Sequence, residues 1–99
     1  MTVLATSAPT VLYLSGDIDI FTTAALRRRI LGALDDRSDA IVLDMSGVTF
    51  CGAGGLGVLL HAQRRARAMG ITLTLTGVTP RVARLLFITG LTGRFAITA

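Results

Sequence analysis

The densest chemical signal in the chain is Gly52-Ala53-Gly54-Gly55-Leu56-Gly57, which matches G-x-G-x-x-G letter for letter. In a dinucleotide site those glycines follow directly on a strand, and an acid about 20 residues further on holds the ribose. Here the apolar strand pattern ends near Asp44, several residues early, and no acid follows Asp44. A chain this short also lacks the second half of such a fold, so NAD and FAD are excluded as cofactors. The chain contains no lysine, which removes a P-loop. What the glycines offer is a helix N-terminus with bare backbone. Its free N–H groups and the positive end of the helix dipole attract a carboxylate or phosphate, and glycine lets a partner's backbone approach closely. The plain alternative is a tight loop that needs positive φ.

The other reactive side chains do not assemble into a catalytic set. Cys51, the single cysteine, precedes the glycines, near a helix N-terminus that lowers a thiol pKa. It reads either as a redox gate on a contact surface or as a small buried hydrophobe. His61 falls on the polar face of a helix with no carboxylate or cysteine in register, which argues against a catalytic or metal role. Asp17 and Asp19 are close in sequence but are not read as a paired acid-base site. Asp44 suits a carboxylate that satisfies backbone N–H groups at a strand end. No nucleophile, base and stabilising group occur together, so an enzyme is not expected. No metal site and no cofactor are expected either.

Composition sets the frame for these residues. The 99 residues make one domain, 1–99, and with 52% hydrophobic residues the chain has the means to build a core. One cysteine permits no internal disulfide, which fits a reducing cytoplasm. No basic residue precedes Arg27 to serve a secretory signal, and no apolar run approaches the ~20 residues that cross a bilayer. All ten basic residues are Arg and all six acids are Asp, with none of the acids after Asp44. A net charge of +4 with a purely basic second half hints at an anionic partner. Nucleic acid is disfavoured because no aromatic residues interleave with the arginines.

The elements that must position these groups follow from periodicity. Thr2–Ala5 and Thr10–Ser15 read as strands about the Ala8-Pro9 turn, and Gly16 breaks the pattern. Thr22 or Thr23 is a candidate N-cap for a helix that buries Leu26, Ile30, Ala33 and Leu34. Residues 35–39 form a loop. Ala40-Ile41-Val42-Leu43 is a continuous apolar run, which suits a strand buried on both faces. A second helix opens in the glycine segment and runs to about Met69, with Leu56, Leu59, Ala62, Ala66 and Met69 inward and His61, Arg64 and Arg65 outward; Gly70 ends it. Ile71–Thr76 alternates as a strand. Thr79 caps and Pro80 opens a third helix that buries Val82, Leu85 and Leu86 and ends at Gly90. Arg94–Ile97 closes as a short strand. The order ββαβαβαβ predicts an α/β fold with a mixed sheet and helical crossovers.

Four segments carry a family resemblance: Gly16-Asp17-Ile18-Asp19, Val42-Leu43-Asp44-Met45-Ser46, Gly54-Gly55-Leu56-Gly57-Val58-Leu59-Leu60, and Thr79-Pro80-Arg81-Val82-Ala83-Arg84-Leu85-Leu86 through Gly90-Leu91. In order and spacing, from about residue 10 to residue 95, they resemble the STAS domain, in particular the bacterial anti-sigma factor antagonists. The resemblance implies a protein that binds an anti-sigma factor, usually a serine kinase, and so frees a sigma factor for transcription. It implies that the family's phosphorylated serine falls on Gly54, which has no side chain to modify. It also implies partner contacts at Asp19, Gly52, Ala53, Gly54, Gly55, Gly57 and His61. Asp19 reads equally well as a turn or cap aspartate. Thr49 and Ser46 are conceivable substitute acceptors. The family usually carries one more helix after the last strand, and the sequence here stops at Ala99; either that helix is absent or the sequence is truncated, and in either case apolar surface is left for a partner or a second copy. The rival readings are the STAS subunit of a lipid-transport ABC system, gripping its ATPase subunit, and an anion or nucleotide sensor at the glycine loop.

Overall fold

The computed structural model describes residues 9–19, 21–35 and 39–98. The elements run β1 (Thr10–Ile18), α1 (Thr23–Asp35), β2 (Ala40–Cys51), α2 (Ala53–Ala68), β3 (Thr72–Thr76), α3 (Pro80–Ile88), a 3-10 turn (Thr92–Arg94) and β4 (Ala96–Thr98). The strands form one sheet in the order β1-β2-β3-β4, and every described pair is parallel. The expected strand at 2–5, which a mixed sheet would require, lies outside the described residues. The closing strand starts later than expected, because Thr92–Arg94 first makes a 3-10 turn.

This topology decides which face is the core. A right-handed crossover between each neighbouring parallel pair carries every helix to the same side of the sheet. Leu26, Ile30, Ala33 and Leu34 of α1, Leu56, Leu59, Ala62 and Ala66 of α2, and Val82 and Leu86 of α3 share one cluster with Leu14, Ile41, Leu43, Met45, Leu73 and Leu75. The opposite face holds Val42 and Thr74 half-buried and leaves Tyr13 69% exposed. Ala40-Ile41-Val42-Leu43 is therefore buried on one face and only partly covered on the other. Leu85 is half-buried, and Met69, expected to point inward, is exposed.

The largest departure from the expectation is the length of β2. It passes Asp44 and continues to Cys51, while β1 passes Gly16 (φ +76) and continues to Ile18. Two register shifts make this extension: Tyr13 pairs with Asp44 but Ser15 with Gly47, and Gly16 pairs with Val48 but Asp17 with Phe50. Each inserts one extra residue on β2 and flips its alternation. Beyond Leu43 the buried positions become Met45, Val48 and Cys51. A spacing of three does not read as a strand in sequence. The extension places the glycine segment directly after a strand.

Helix ends follow local chemistry. Gly70 (φ +72) ends α2 with Ile71 N–H donating to Ala66 C=O at 2.8 Å and Gly70 N–H to Arg67 C=O at 3.2 Å. Gly90 (φ +72) ends α3 with the same pair of bonds from Leu91 to Leu86 and from Gly90 to Phe87. Both are Schellman closures, for which a left-handed residue is required. At the start of α3, Thr79 Oγ1 accepts from Val82 N–H at 3.4 Å with Pro80 in the first turn.

Candidate functional site

The site is assembled where β1 and β2 end side by side. Gly52 N–H donates to Ile18 C=O at 2.9 Å, which ties the entry of α2 to the end of β1. Gly52 is the N-cap residue, with φ −87 and ψ 178, and makes no side-chain cap. None of Gly52, Gly54, Gly55 and Gly57 has positive φ, since the positive-φ glycines are Gly16, Gly70, Gly77 and Gly90. A loop requiring left-handed backbone therefore does not explain the glycine segment.

Each glycine stands in a different environment. A Cβ on Gly55 would overlap Ile18 Cγ2 and lie 3.0 Å from Cys51 Sγ, and the residue is buried. It packs α2 closely on β1. Gly54 is exposed, and a Cβ there would lie 3.5 Å from Thr23 Cγ2, an ordinary contact. Gly57 is exposed with open space around it, and Ala53 is exposed beside them. One turn further on His61 is exposed, and Gly57, His61 and Arg64 or Arg65 form one stripe at helical spacing. No acid lies in the first turn of α2, so the helix supplies no negative charge of its own at its N-terminus.

The β1–α1 loop forms the neighbouring wall. Asp19 is half-buried, and its Oδ1 accepts from Phe21 N–H at 2.9 Å. Its main-chain N–H donates to Thr22 Oγ1 at 2.9 Å, and its carbonyl accepts from Thr22 and Thr23 N–H. Thr22 Oγ1 also lies 2.9 Å from the Asp17 carbonyl as donor. Thr22 C=O receives the helical bond from Leu26 N–H at 3.0 Å, so Thr22 holds the cap position, but its hydroxyl turns back into the loop. Asp19 is thus the organiser of an Asx-type turn. The turn leaves Phe21 86% exposed. Asp17 Oδ1 accepts from Thr49 Oγ1 at 2.6 Å, a cross-strand bond that holds the ends of β1 and β2 together.

Of the two readings of Cys51, the structure matches the small buried hydrophobe. It is buried at 4% exposure, its Sγ lies 3.7 Å from the Gly52 carbonyl, and desolvation pushes its thiol pKa above the usual 9.0 rather than below. It behaves as a small core hydrophobe. Asp44 Oδ1 accepts from Ser46 Oγ at 2.6 Å and from Ser46 N–H at 2.9 Å, and these bonds lower its pKa below the usual 3.8. It satisfies backbone as expected, although inside the bulged strand rather than at its end. Among the described residues no group of three His, Cys, Asp or Glu side chains could hold a metal ion, and no helix is long and apolar enough to cross a membrane.

Sequence reading missed the apolar side chains around the site. Phe50 is 45% exposed, while Phe87 and Ile88 are exposed on α3. The bulges hide Phe50 in the sequence, because the apolar strand pattern ends near Asp44. Phe87 and Ile88 lay off the predicted buried stripe of their helix, a signal that could have been read as an outer apolar face.

Comparison with known proteins was consistent across sequence and structure. A family model described as "Mlab, STAS domain" matches residues 1–98. The anti-sigma-F factor antagonist RsfB of Mycobacterium tuberculosis is 39% identical over 55 residues, which are 56% of this chain and 45% of that protein. The matched stretch thus spans under half the length of the curated relatives. Among solved structures, an anti-sigma factor antagonist from Mycobacterium paratuberculosis superposes with TM-score 0.79 at 30% identity, covering 88% of this chain and 74% of that one. The anti-sigma factor antagonist SpoIIAA, in its unphosphorylated form, superposes with TM-score 0.77 over 97% of this chain and 85% of its own. At 20% identity that last likeness is one of fold.

Proposed function

The chain belongs to the STAS domain family, and from that premise we propose that it is an anti-sigma factor antagonist that docks an anti-sigma factor of the serine-kinase type at the start of α2, releases a sigma factor, and lacks a phosphorylation switch at position 54. The names of its relatives support the general role. The observation that carries the docking face is the entry of α2, where Ala53, Gly54 and Gly57 are exposed without a side chain larger than methyl. Gly55 clamps that turn rigidly to Ile18.

The mechanism needs no reaction by this chain. The first-turn N–H groups of α2 lie at the positive end of the helix dipole, where a partner's carboxylate or carbonyl gains most. Because the strand-to-helix junction is fixed by Gly52 N–H on Ile18 C=O, little ordering cost falls on binding. A phosphate at this spot would add about −1.5 to −2 charges and a bulky group. Gly54 gives it no point of attachment, so the surface stays competent to bind. Any ATP chemistry belongs to the partner.

The test is to incubate the chain and its Gly54→Ser variant with the anti-sigma factor and ATP, then measure intact mass and complex formation. We expect the unaltered chain to bind and keep its mass, and Gly54→Ser to acquire one phosphoryl group, since a Cβ at 54 meets only ordinary contact. Phosphoryl transfer to the unaltered chain at Thr49, Ser46 or elsewhere would overturn the switchless reading. A second reading is favoured by the same glycine. As the STAS subunit of a lipid-transport ABC system, the chain would grip an ATPase subunit and need no acceptor hydroxyl. Recovery of an ABC ATPase rather than an anti-sigma kinase in a pull-down from native cytosol would decide for it.

A further inference from the structure

A second binding surface lies beside the entry of α2, in the groove between α3 and the far half of β2. Phe50 and Cys51 come from β2, and Arg81, Arg84, Leu85 and Ile88 from α3. Val82 closes the floor. The groove exists because β3 pairs only with Ala40–Asp44. The bulged extension of β2 therefore has no strand on that flank, and α3 stands beside it with only Val82 and Leu86 fully buried. Phe50 is 45% and Ile88 66% exposed. Exposed apolar side chains gathered in one concavity, rather than scattered singly, mark an interaction site.

Charge specifies what fits. Arg81 and Arg84 rise from the groove's rim, and no acid follows Asp44 anywhere in the sequence. Neither arginine has an ion-pair partner among the described residues. The occupant must bring both apolar and acidic side chains. Most of the lining comes from one helix, at positions 81, 82, 84, 85 and 88. This is the ridge pattern that receives a second helix, and an amphipathic helix brings its own satisfied backbone. The nine residues of α3 offer about 13 Å of wall, or two to three turns.

We propose that this groove receives an amphipathic helix of the protein partner, with its apolar face on Phe50, Leu85 and Ile88 and its acidic residues against Arg81 and Arg84. The proposal rests on reading the chain as a partner-binding domain and gives that partner a second, chemically defined contact.

The test uses two stapled helical peptides with the same leucine face, one flanked by glutamates and one by lysines. Methyl resonances of Val82, Leu85 and Ile88 are followed on titration. The glutamate peptide should shift these resonances and bind at least tenfold tighter than the lysine peptide, and the double variant Arg81→Glu/Arg84→Glu should invert that preference. Equal affinity for both peptides, shifts confined to other residues, or no binding of either overturns the groove. The double variant is also measured against the intact anti-sigma factor. Unchanged affinity there removes the groove while leaving the α2 docking face standing. Failure of the unaltered chain to bind the anti-sigma factor removes the functional reading instead, independently of the peptide result.

Discussion

At the residue scale, the glycines at the start of α2 differ in the space around them, and the consequence of that difference can be measured. Gly55 has no room for a Cβ against Ile18 and Cys51, whereas Gly57 faces open space inside a helix. Gly55→Ala should cost about 1–3 kcal/mol in urea unfolding through overpacking. Gly57→Ala should gain roughly 0.5–1 kcal/mol, because alanine removes the entropic cost of a mid-helix glycine. If close approach by a partner is the reason for glycine at 57, the stabilised variant should nonetheless bind the anti-sigma factor more weakly. Gly32→Ala, also open and helical but on α1, is the control that should stabilise without loss of binding. Equal binding by both variants would reduce Gly57 to a tolerated defect.

At the element scale, the helices were legible in sequence and the long strand was not. The buried set of α1, and Leu56, Leu59, Ala62 and Ala66 of α2, follow a 3.6-residue period that no neighbour disturbs. The terminators Gly70 and Gly90 and the Thr79-Pro80 start are local signals and were equally clear. β2 failed because two bulges turned its period from two to three, a consequence of pairing with β1 that no single segment encodes. The site inherited this gap: its glycines were read from sequence, but Phe50 and the groove were not. One residue holds the first bulge. Asp44 accepts both donors of Ser46 across it, and Gly77 packs so closely that a Cβ there would meet Ser46 Cβ at 2.9 Å. Those hydrogen bonds lower the folded-state pKa of Asp44 below the unfolded 3.8. Its stabilising contribution is therefore present above that value and is lost as pH falls through the lower, folded one. Urea midpoints of the unaltered chain and Asp44→Asn should differ at pH 7 and converge only as pH falls through the lowered folded-state pKa and the carboxyl protonates. A gap of the same size at every pH would show that the charge on Asp44 is irrelevant to the bulge.

At the scale of the whole molecule, the charge pattern sets fold stability and association against each other. Nine of the ten arginines are described, and none pairs with a described aspartate; Asp17, Asp19 and Asp44 are engaged instead by hydroxyl and backbone donors. With a net charge of +4 and no internal ion pairs among those groups to weaken, added salt screens mainly repulsion. Raising ionic strength from about 10 mM to about 150 mM shortens the screening length from roughly 30 to 8 Å, so the thermal midpoint should rise slightly. On the proposed docking of an acidic partner, the same screening removes its attraction to the arginines of α2 and α3. Its association rate should fall by about tenfold or more while dissociation changes little. Thermal melts and stopped-flow association over one salt series read both quantities on the same sample. A midpoint that drops with salt would mean that the arginines stabilise the fold through ion pairs. An association rate indifferent to salt would mean that they do not face the partner.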